Sequence, residues 1–184
     1  MNFNISKGFT LIETLVAVSL LVIAIAGPMS LAAQSLSSAF YARDQMTAFH
    51  LAQEAIEAVR FVRDSNMLIN NVAGTPIVDI LQGIPKTDGS PMIVDIRNNT
   101  ITACDPTCPP LKTNGTLFGY EPDTNLDWQM TRFTRTMFVT FVNNNNPDEI
   151  KVRIEVKWRS GAFQERTIVM SENMHRWLPD TISN

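Results

Sequence analysis

The sequence predicts an α+β fold in which one long N-terminal helix packs on a C-terminal antiparallel sheet. Three patterns support this prediction: an apolar run near the N-terminus, an apolar stripe at helical spacing after it, and a strict alternation of apolar and charged residues between Glu149 and Trp158. With 184 residues, the chain is long enough for one domain and an additional extended element. The expected segments are a short leader (1–8), a membrane span (9–33), an amphipathic helix (34–66) and a globular domain (67–184).

The apolar run is long enough to cross a membrane. The nineteen residues from Leu15 to Ala33 carry no charge, and as a helix they would extend about 28 Å, close to the thickness of a hydrocarbon core. Lys7 precedes the run, which predicts a cytoplasmic N-terminus and an extracytoplasmic C-terminal domain. Glu13 is the only charged residue between Lys7 and Arg43. It calls for an explanation, because a carboxylate within or beside such a segment is energetically costly.

The residues before the apolar run form a motif that resembles the processing site of type IV prepilins and pseudopilins. The motif is Lys7-Gly8-Phe9-Thr10-Leu11-Ile12-Glu13. The resemblance implies that prepilin peptidase cuts the Gly8–Phe9 bond, which makes 1–8 a leader peptide, and that the new N-terminal Phe9 is N-methylated. It also implies that Glu13 pairs with the N-terminal amine of a neighbouring subunit during assembly. The physics agrees, because cleavage creates a cation in an apolar layer and the carboxylate one helical turn along can neutralise it.

A second stretch resembles, less specifically, the later part of the N-terminal helix in minor pilins and pseudopilins of the V/I type. It consists of Leu51-Ala52-Gln53-Glu54-Ala55-Ile56-Glu57-Ala58-Val59-Arg60 and Arg63-Asp64-Ser65-Asn66. A generic amphipathic helix explains the same pattern equally well.

The resemblance implies a pilin-like fold and a structural role rather than catalysis. The expected function is that of a minor pilin or pseudopilin, a subunit of a type IV pilus or type II secretion-type filament that assembles through its N-terminal helix. The expected partners are other pilin or pseudopilin subunits, prepilin peptidase, an assembly platform of the bacterial inner membrane and membrane lipid. The protein would begin in the inner membrane and then enter a filament in the periplasm or at the cell surface. Pilus, secretion and competence systems remain open.

Two other interpretations of the N-terminus are possible. A secretory signal peptide would be cleaved after a small-residue site, for which Ala24-Ile25-Ala26 could serve, but the apolar run continues well beyond that point. A simple membrane anchor explains the length of the run but not the motif that precedes it.

One helix is expected from residue 9 to about residue 64, and Gly27-Pro28 is the only strong helix breaker inside it. Proline removes the backbone hydrogen bond to residue 24 and clashes with that carbonyl, so a kink or a local break is predicted there.

The later part of the helix carries an apolar stripe that should pack on the sheet. The stripe consists of Ala48, Leu51, Ala52, Ala55, Ile56, Val59 and Val62. On the polar side, Glu57–Arg60 and Arg60–Asp64 have the spacing of helix-surface ion pairs. A coiled coil is the alternative, but the stripe is rich in alanine and spans only two to three heptads.

Residues 67–126 are rich in turn-forming residues, and only short strands are expected, at Met92–Ile96 and at Ile77–Leu81. The two cysteines, Cys104 and Cys108, would lie in the extracytoplasmic domain, where disulfides persist. A Cys104–Cys108 disulfide is therefore favoured, and two free thiols are the alternative.

An antiparallel sheet is predicted over 128–172. Its strands are Phe133–Val142, Glu149–Trp158 and Phe163–Ser171, separated by turns at Asn143–Asp148 and Ser160–Gly161. The face that carries Ile150, Val152, Ile154, Val156 and Trp158 should cover the helix, and the charged face should meet solvent.

Composition and motifs provide no sign of an enzyme. The net charge of −3 gives no basic excess for nucleic acid as the main partner, and neither a catalytic motif nor a cofactor is predicted. His50 and His175 lack a motif. The segment Asp123–Asp127 has the first spacings of a calcium loop but lacks its glycine and its distal glutamate, so no metal site is predicted and a solvated turn is favoured.

The alternative function is that of a filament-tip adhesin or a DNA-binding minor pilin of a competence-type system. It would require a basic or aromatic patch on the domain. The candidate cations are Arg132, Arg135, Lys151, Arg153, Lys157 and Arg159.

Overall fold

The computed structural model describes residues 8–72, 82–85, 89–104, 107–120, 127–143, 146–160 and 164–175. The chain divides into an N-terminal unit, residues 1–43, and a C-terminal unit, residues 44–184. Their elements form the predicted α+β, pilin-like arrangement, with one long N-terminal helix and an antiparallel sheet.

Helix α1 comprises Leu11–Val72 and contributes to both units. It ends later than the sequence indicated, and Met67, two turns after Val59, extends the buried side of the helix. The helix continues through Gly27 and Pro28, so the described chain has no break at the position where one was predicted. A single proline removes one backbone hydrogen bond, and the good helix formers on both sides of the pair maintain the neighbouring turns.

The C-terminal unit contains a five-stranded antiparallel sheet with the order β2-β1-β6-β7-β8. Its strands are β1 Met92–Asp95, β2 Thr100–Ala103, β6 Phe133–Asn143, β7 Asn146–Ser160 and β8 Gln164–His175. A smaller antiparallel sheet has the order β4-β3-β5, with β3 Lys112–Thr113, β4 Phe118–Gly119 and β5 Gln129–Met130.

The predicted meander of three strands is present as β6, β7 and β8. In β6–β7, Met137 pairs with Ile154, and in β7–β8, Ile154 pairs with Met170. Strands β7 and β8 are longer than predicted, and the sheet extends beyond the meander because β1 pairs with β6 through Met92 and Met137. The predicted strand at Met92–Ile96 corresponds to β1, whereas that at Ile77–Leu81 lies outside the described residues.

The core lies between α1 and one face of the large sheet. Every predicted inward residue of β7 is buried, from Ile150 to Trp158. Six of the seven residues of the helix stripe are also buried, and Val62 is half-buried. Apolar burial of this kind stabilises a domain by about 25 cal/mol per Å², so the pairing of an alanine-rich helix face with a β-branched sheet face holds the C-terminal unit together.

Candidate processing and assembly site

The predicted cleavage site lies just before the first turn of α1. Thr10 is the N-cap of the helix, because its Oγ1 accepts a hydrogen bond from the Glu13 backbone N–H (3.3 Å) and its carbonyl accepts one from Thr14 N–H (3.2 Å). Phe9 is exposed, and a Cβ added to Gly8 would meet no atom within 4 Å. The Gly8–Phe9 bond therefore lies in exposed chain ahead of a capped helix.

The Glu13 side chain is exposed at the third position of the helix. The Thr10–Glu13 spacing is that of a capping box, a sequence signal from which the helix start could have been predicted. A carboxylate in the first turn also interacts favourably with the helix dipole. Within the described residues, however, the Glu13 carboxylate makes no hydrogen bond or ion pair, so it remains available to a cation from another chain.

Two hydroxyl groups at the start of the apolar segment are hydrogen-bonded within the helix. The hydroxyls of Thr14 and Ser19 donate to the carbonyls of Leu11 and Val16, each at 2.8 Å. One 18-residue window of the helix has a mean hydropathy of 2.3, and none of its residues is buried within the chain. By length and composition this helix can cross a membrane.

Comparison with known families identifies this same segment. The family described as the prokaryotic N-terminal methylation motif matches residues 4–27. The match supports assignment of the chain to the type IV pilin and pseudopilin family, and it indicates a membrane-anchored substrate of prepilin peptidase that assembles with other pilins. It suggests a structural subunit rather than an enzyme. No curated protein and no solved structure matches the chain.

The six cations considered for ligand binding do not form one surface patch. Arg135 is only 1% exposed and lies in the core. Its guanidinium donates to the carbonyls of Leu51 (3.1 Å) and Val94 (2.6 Å), while Glu54 lies 3.9 Å away. Arg135 therefore links α1 to β1. The prediction that it could belong to a basic surface patch is wrong, because its side chain is internal. Its position on the same side of β6 as Phe133 and Met137 was the signal in the sequence.

Of the other cations, Arg132, Lys157 and Arg159 line one surface pocket together with Glu165. Arg132 donates to the buried carboxylate of Asp44 at 2.9 Å, and Arg153 pairs with Glu155 and stacks on Phe138. The remaining three, Lys151, Lys157 and Arg159, lie on the outer face of β7 and are exposed.

Arg60 makes a contact that the sequence did not reveal. It donates to both carboxylate oxygens of Glu172 on β8, at 2.9 and 2.5 Å, and to Glu57 at 2.6 Å. The Glu57–Arg60 pair was predicted, whereas Arg60 engages Glu172 instead of Asp64. The hydrogen bond to Glu172 raises the pKa of Arg60, although burial acts in the opposite direction.

The structure joins Cys104 and Cys108 in a disulfide, with 4.9 Å between their Cα atoms. The Cys104 backbone N–H donates to the Pro91 carbonyl at 3.0 Å. This bond fixes the start of the cysteine loop beside the residue that precedes β1.

His50 and His175 lie on α1 and β8, and both are exposed. Within the described residues, no group of three or more His, Cys, Asp or Glu side chains could hold a metal ion. Most of the Asp123–Asp127 segment lies outside those residues.

Proposed function

We propose that this chain is a minor pilin or pseudopilin, a structural subunit of a type IV pilus or type II secretion-type filament. Prepilin peptidase cuts the Gly8–Phe9 bond, Phe9 is methylated, and the N-terminal helix carries the subunit from the inner membrane into the filament. The observation that carries the proposal is the methylation motif at residues 4–27, which overlaps an apolar segment of α1 whose one carboxylate, Glu13, lacks a partner within the described chain.

The proposed role of Glu13 follows from the free-energy cost of placing a carboxylate in an apolar layer. An unpaired carboxylate costs roughly 2.5–3.5 kcal/mol at the centre of a bilayer on insertion scales, and less near the interface. The cleaved N-terminus of an adjacent subunit supplies the opposite charge within the same apolar layer. Such a buried pair adds little net stability but strongly disfavours a wrong register, because each misplaced subunit leaves two charges uncompensated.

The first test is the variant Gly8→Asp. Because a side chain at Gly8 meets no neighbouring atom, the substitution leaves the described fold unchanged, and any effect acts on processing. We expect a membrane-bound precursor that retains its leader and is absent from filaments. Recovery of this variant in filaments would show that cleavage at this bond is not required.

The second test compares Glu13→Ala and Glu13→Gln with the control Thr14→Val. Both Glu13 variants remove the charge, and we expect each to lower filament incorporation at least about tenfold, since breaking a buried pair costs more than 1.4 kcal/mol. Thr14 bonds only to its own helix, so its variant should assemble normally. Wild-type incorporation of Glu13→Gln would contradict the pairing.

A further inference from the structure

We propose that Asn114, in the turn between β3 and β4, is a site of self-catalysed deamidation. The backbone nitrogen of Gly115 attacks the Asn114 side-chain amide, and water then converts the product to an acid. The reaction adds a negative charge to the small sheet without an enzyme. It consumes only water, and it is independent of cleavage at the Gly8–Phe9 bond.

The local sequence allows the attack. Asn114 is the one asparagine of the chain that precedes a glycine. A side chain on the following residue would hinder the approach of its backbone nitrogen to the asparagine amide, and glycine has no side chain. The turn itself requires this glycine, because Gly115 has a φ of 91°, in the left-handed region.

The turn is open to solvent. Asn114, Gly115, Thr116 and Leu117 are all exposed, so water can enter and ammonia can leave. Within the described residues, Nδ2 of Asn114, which is the leaving group, makes no hydrogen bond. No contact in the described chain therefore holds the leaving group in place.

The amide oxygen of Asn114 accepts two backbone hydrogen bonds. Its Oδ1 accepts from the N–H of Thr116 at 3.0 Å and from the N–H of Leu117 at 2.9 Å. Attack on the amide carbon Cγ moves negative charge onto this oxygen, and donors at such distances stabilise that charge. The two N–H groups therefore act as an oxyanion hole for the attack.

The attacking nitrogen is polarised by its own hydrogen bond. The Gly115 N–H donates to Oγ1 of Thr113 at 3.0 Å, and this hydroxyl donates to the carbonyl of Leu117 at 2.8 Å. Donation to Thr113 increases the electron density on the nitrogen, and a base from solvent removes the proton as the new bond forms. Because a base is required, the rate should rise with pH.

The reaction proceeds through a cyclic imide. The bond between Gly115 N and Asn114 Cγ forms, the N–H proton goes to the solvent base, and the Cγ–Nδ2 bond breaks as ammonia leaves with a proton from water. Water then opens the imide. Attack at Cγ gives aspartate with the normal backbone, and attack at the Asn114 backbone carbonyl carbon gives isoaspartate.

The turn favours aspartate as the product. The donors from Thr116 and Leu117 polarise the carbonyl at Cγ and leave the backbone carbonyl of Asn114 without the same help. The aspartate carboxylate can also keep both hydrogen bonds, now in the stronger charge-assisted form.

The first experiment incubates the purified full chain in detergent at mildly alkaline pH and maps its peptides by mass. We expect the Asn114 peptide to gain about 1 Da over days. Asn98, an exposed turn residue followed by Asn99, is the internal control and should convert at least about tenfold more slowly. An Asn114 peptide of unchanged mass, or equal conversion at Asn98, would overturn the proposal.

Product analysis tests the role of the two donors. The folded chain should give mainly aspartate. The urea-unfolded chain should give mainly isoaspartate, because the neighbouring backbone nitrogen then makes the backbone carbonyl carbon the more reactive one. Labelling with an isoaspartyl methyltransferase distinguishes the products, and the same mixture from both chains would contradict the oxyanion hole.

A matched pair of variants tests the polarised nitrogen. Thr113→Val removes the acceptor of the Gly115 N–H with little change in size, and we expect conversion at Asn114 to slow at least about threefold. Thr116→Val lies in the same turn and keeps the backbone donor, so its rate should match wild type. Conversion at Asn98 reports any general loosening of the fold. Equal rates in both variants would overturn the role assigned to Thr113.

Discussion

The two units of the chain differ in whether their apolar side chains are buried and their charged side chains are paired within the chain. In the N-terminal unit, leucine, isoleucine and valine side chains from Leu11 to Leu36 are exposed, and the one carboxylate lacks a partner within the described chain. In the C-terminal unit, the apolar side chains between α1 and the large sheet are buried, and even the internal cation Arg135 is hydrogen-bonded. One helix supplies both units: the apolar side chains of its first part are exposed in the described chain, and those of its second part pack on its own sheet.

The largest expected effect contrasts two leucines of the same helix. Leu51 is 1% exposed in the C-terminal unit, whereas Leu21 is 61% exposed in the N-terminal unit. Leu51→Ala should lower the free energy of unfolding by about 2–5 kcal/mol, because it leaves a cavity against the sheet. Leu21→Ala should leave it unchanged. Denaturant unfolding of the full chain in detergent measures both, and equal effects would contradict the division of roles.

A smaller effect is expected at Arg135. Arg135→Met removes the donors to the carbonyls of Leu51 and Val94, and leaving buried acceptors unpaired should cost about 1–3 kcal/mol. The control Arg159→Met removes an exposed cation of the same type, and we expect a change below about 0.5 kcal/mol. Unchanged unfolding of Arg135→Met would mean that both carbonyls find other donors.

The Arg60–Glu172 contact should contribute less. Both side chains are partly exposed, so solvent screens the pair, and a double-mutant cycle with Arg60→Met and Glu172→Gln should give a coupling energy of about 0.5–1 kcal/mol. High salt should reduce it. Zero coupling would show that the contact does not help to hold β8 against the helix.

The smallest effect depends on pH. Burial raises the pKa of Tyr120, although the nearby Arg135 lowers it, and the Tyr120 hydroxyl donates to the Arg135 carbonyl at 3.3 Å. Because the folded state favours the neutral phenol, its contribution is complete below the unfolded pKa of about 10 and is lost as pH rises through the folded pKa.

Tyr120→Phe tests this pH dependence. It should cost about 0.5 kcal/mol near pH 8, because the 3.3 Å hydrogen bond is long, and the gap to wild type should shrink at more alkaline pH. Urea unfolding at several pH values measures the gap, and a constant gap would refute the assignment.

Periodic patterns predicted the parts of the fold in which one surface is buried. The alternation in Ile150–Trp158 and the stripe from Ala48 to Val59 identified both halves of the core, because burial imposes a period of 2 on strands and about 3.6 on helices. The strands of the small sheet, between residues 112 and 130, are only two residues long and show no such period, so the small sheet was not predicted.

The candidate site was predictable where the signal is local. The motif around Gly8 and Glu13 lies within seven residues of sequence. The partner of Arg60 is 112 residues away, and no local spacing identifies it. The burial of Arg135 was not predicted, because a charged residue is expected at the surface. Its place in the alternation of β6 nevertheless indicated burial. Gly27 and Pro28 were expected to kink or locally break the helix, and the helix continues through them without a break.

The most direct measurement is N-terminal sequencing of the native protein, together with its intact mass. The proposal predicts a chain that begins at methylated Phe9, in the membrane and in filaments alike. A native chain that begins at Met1, or beyond Ala26, would contradict it.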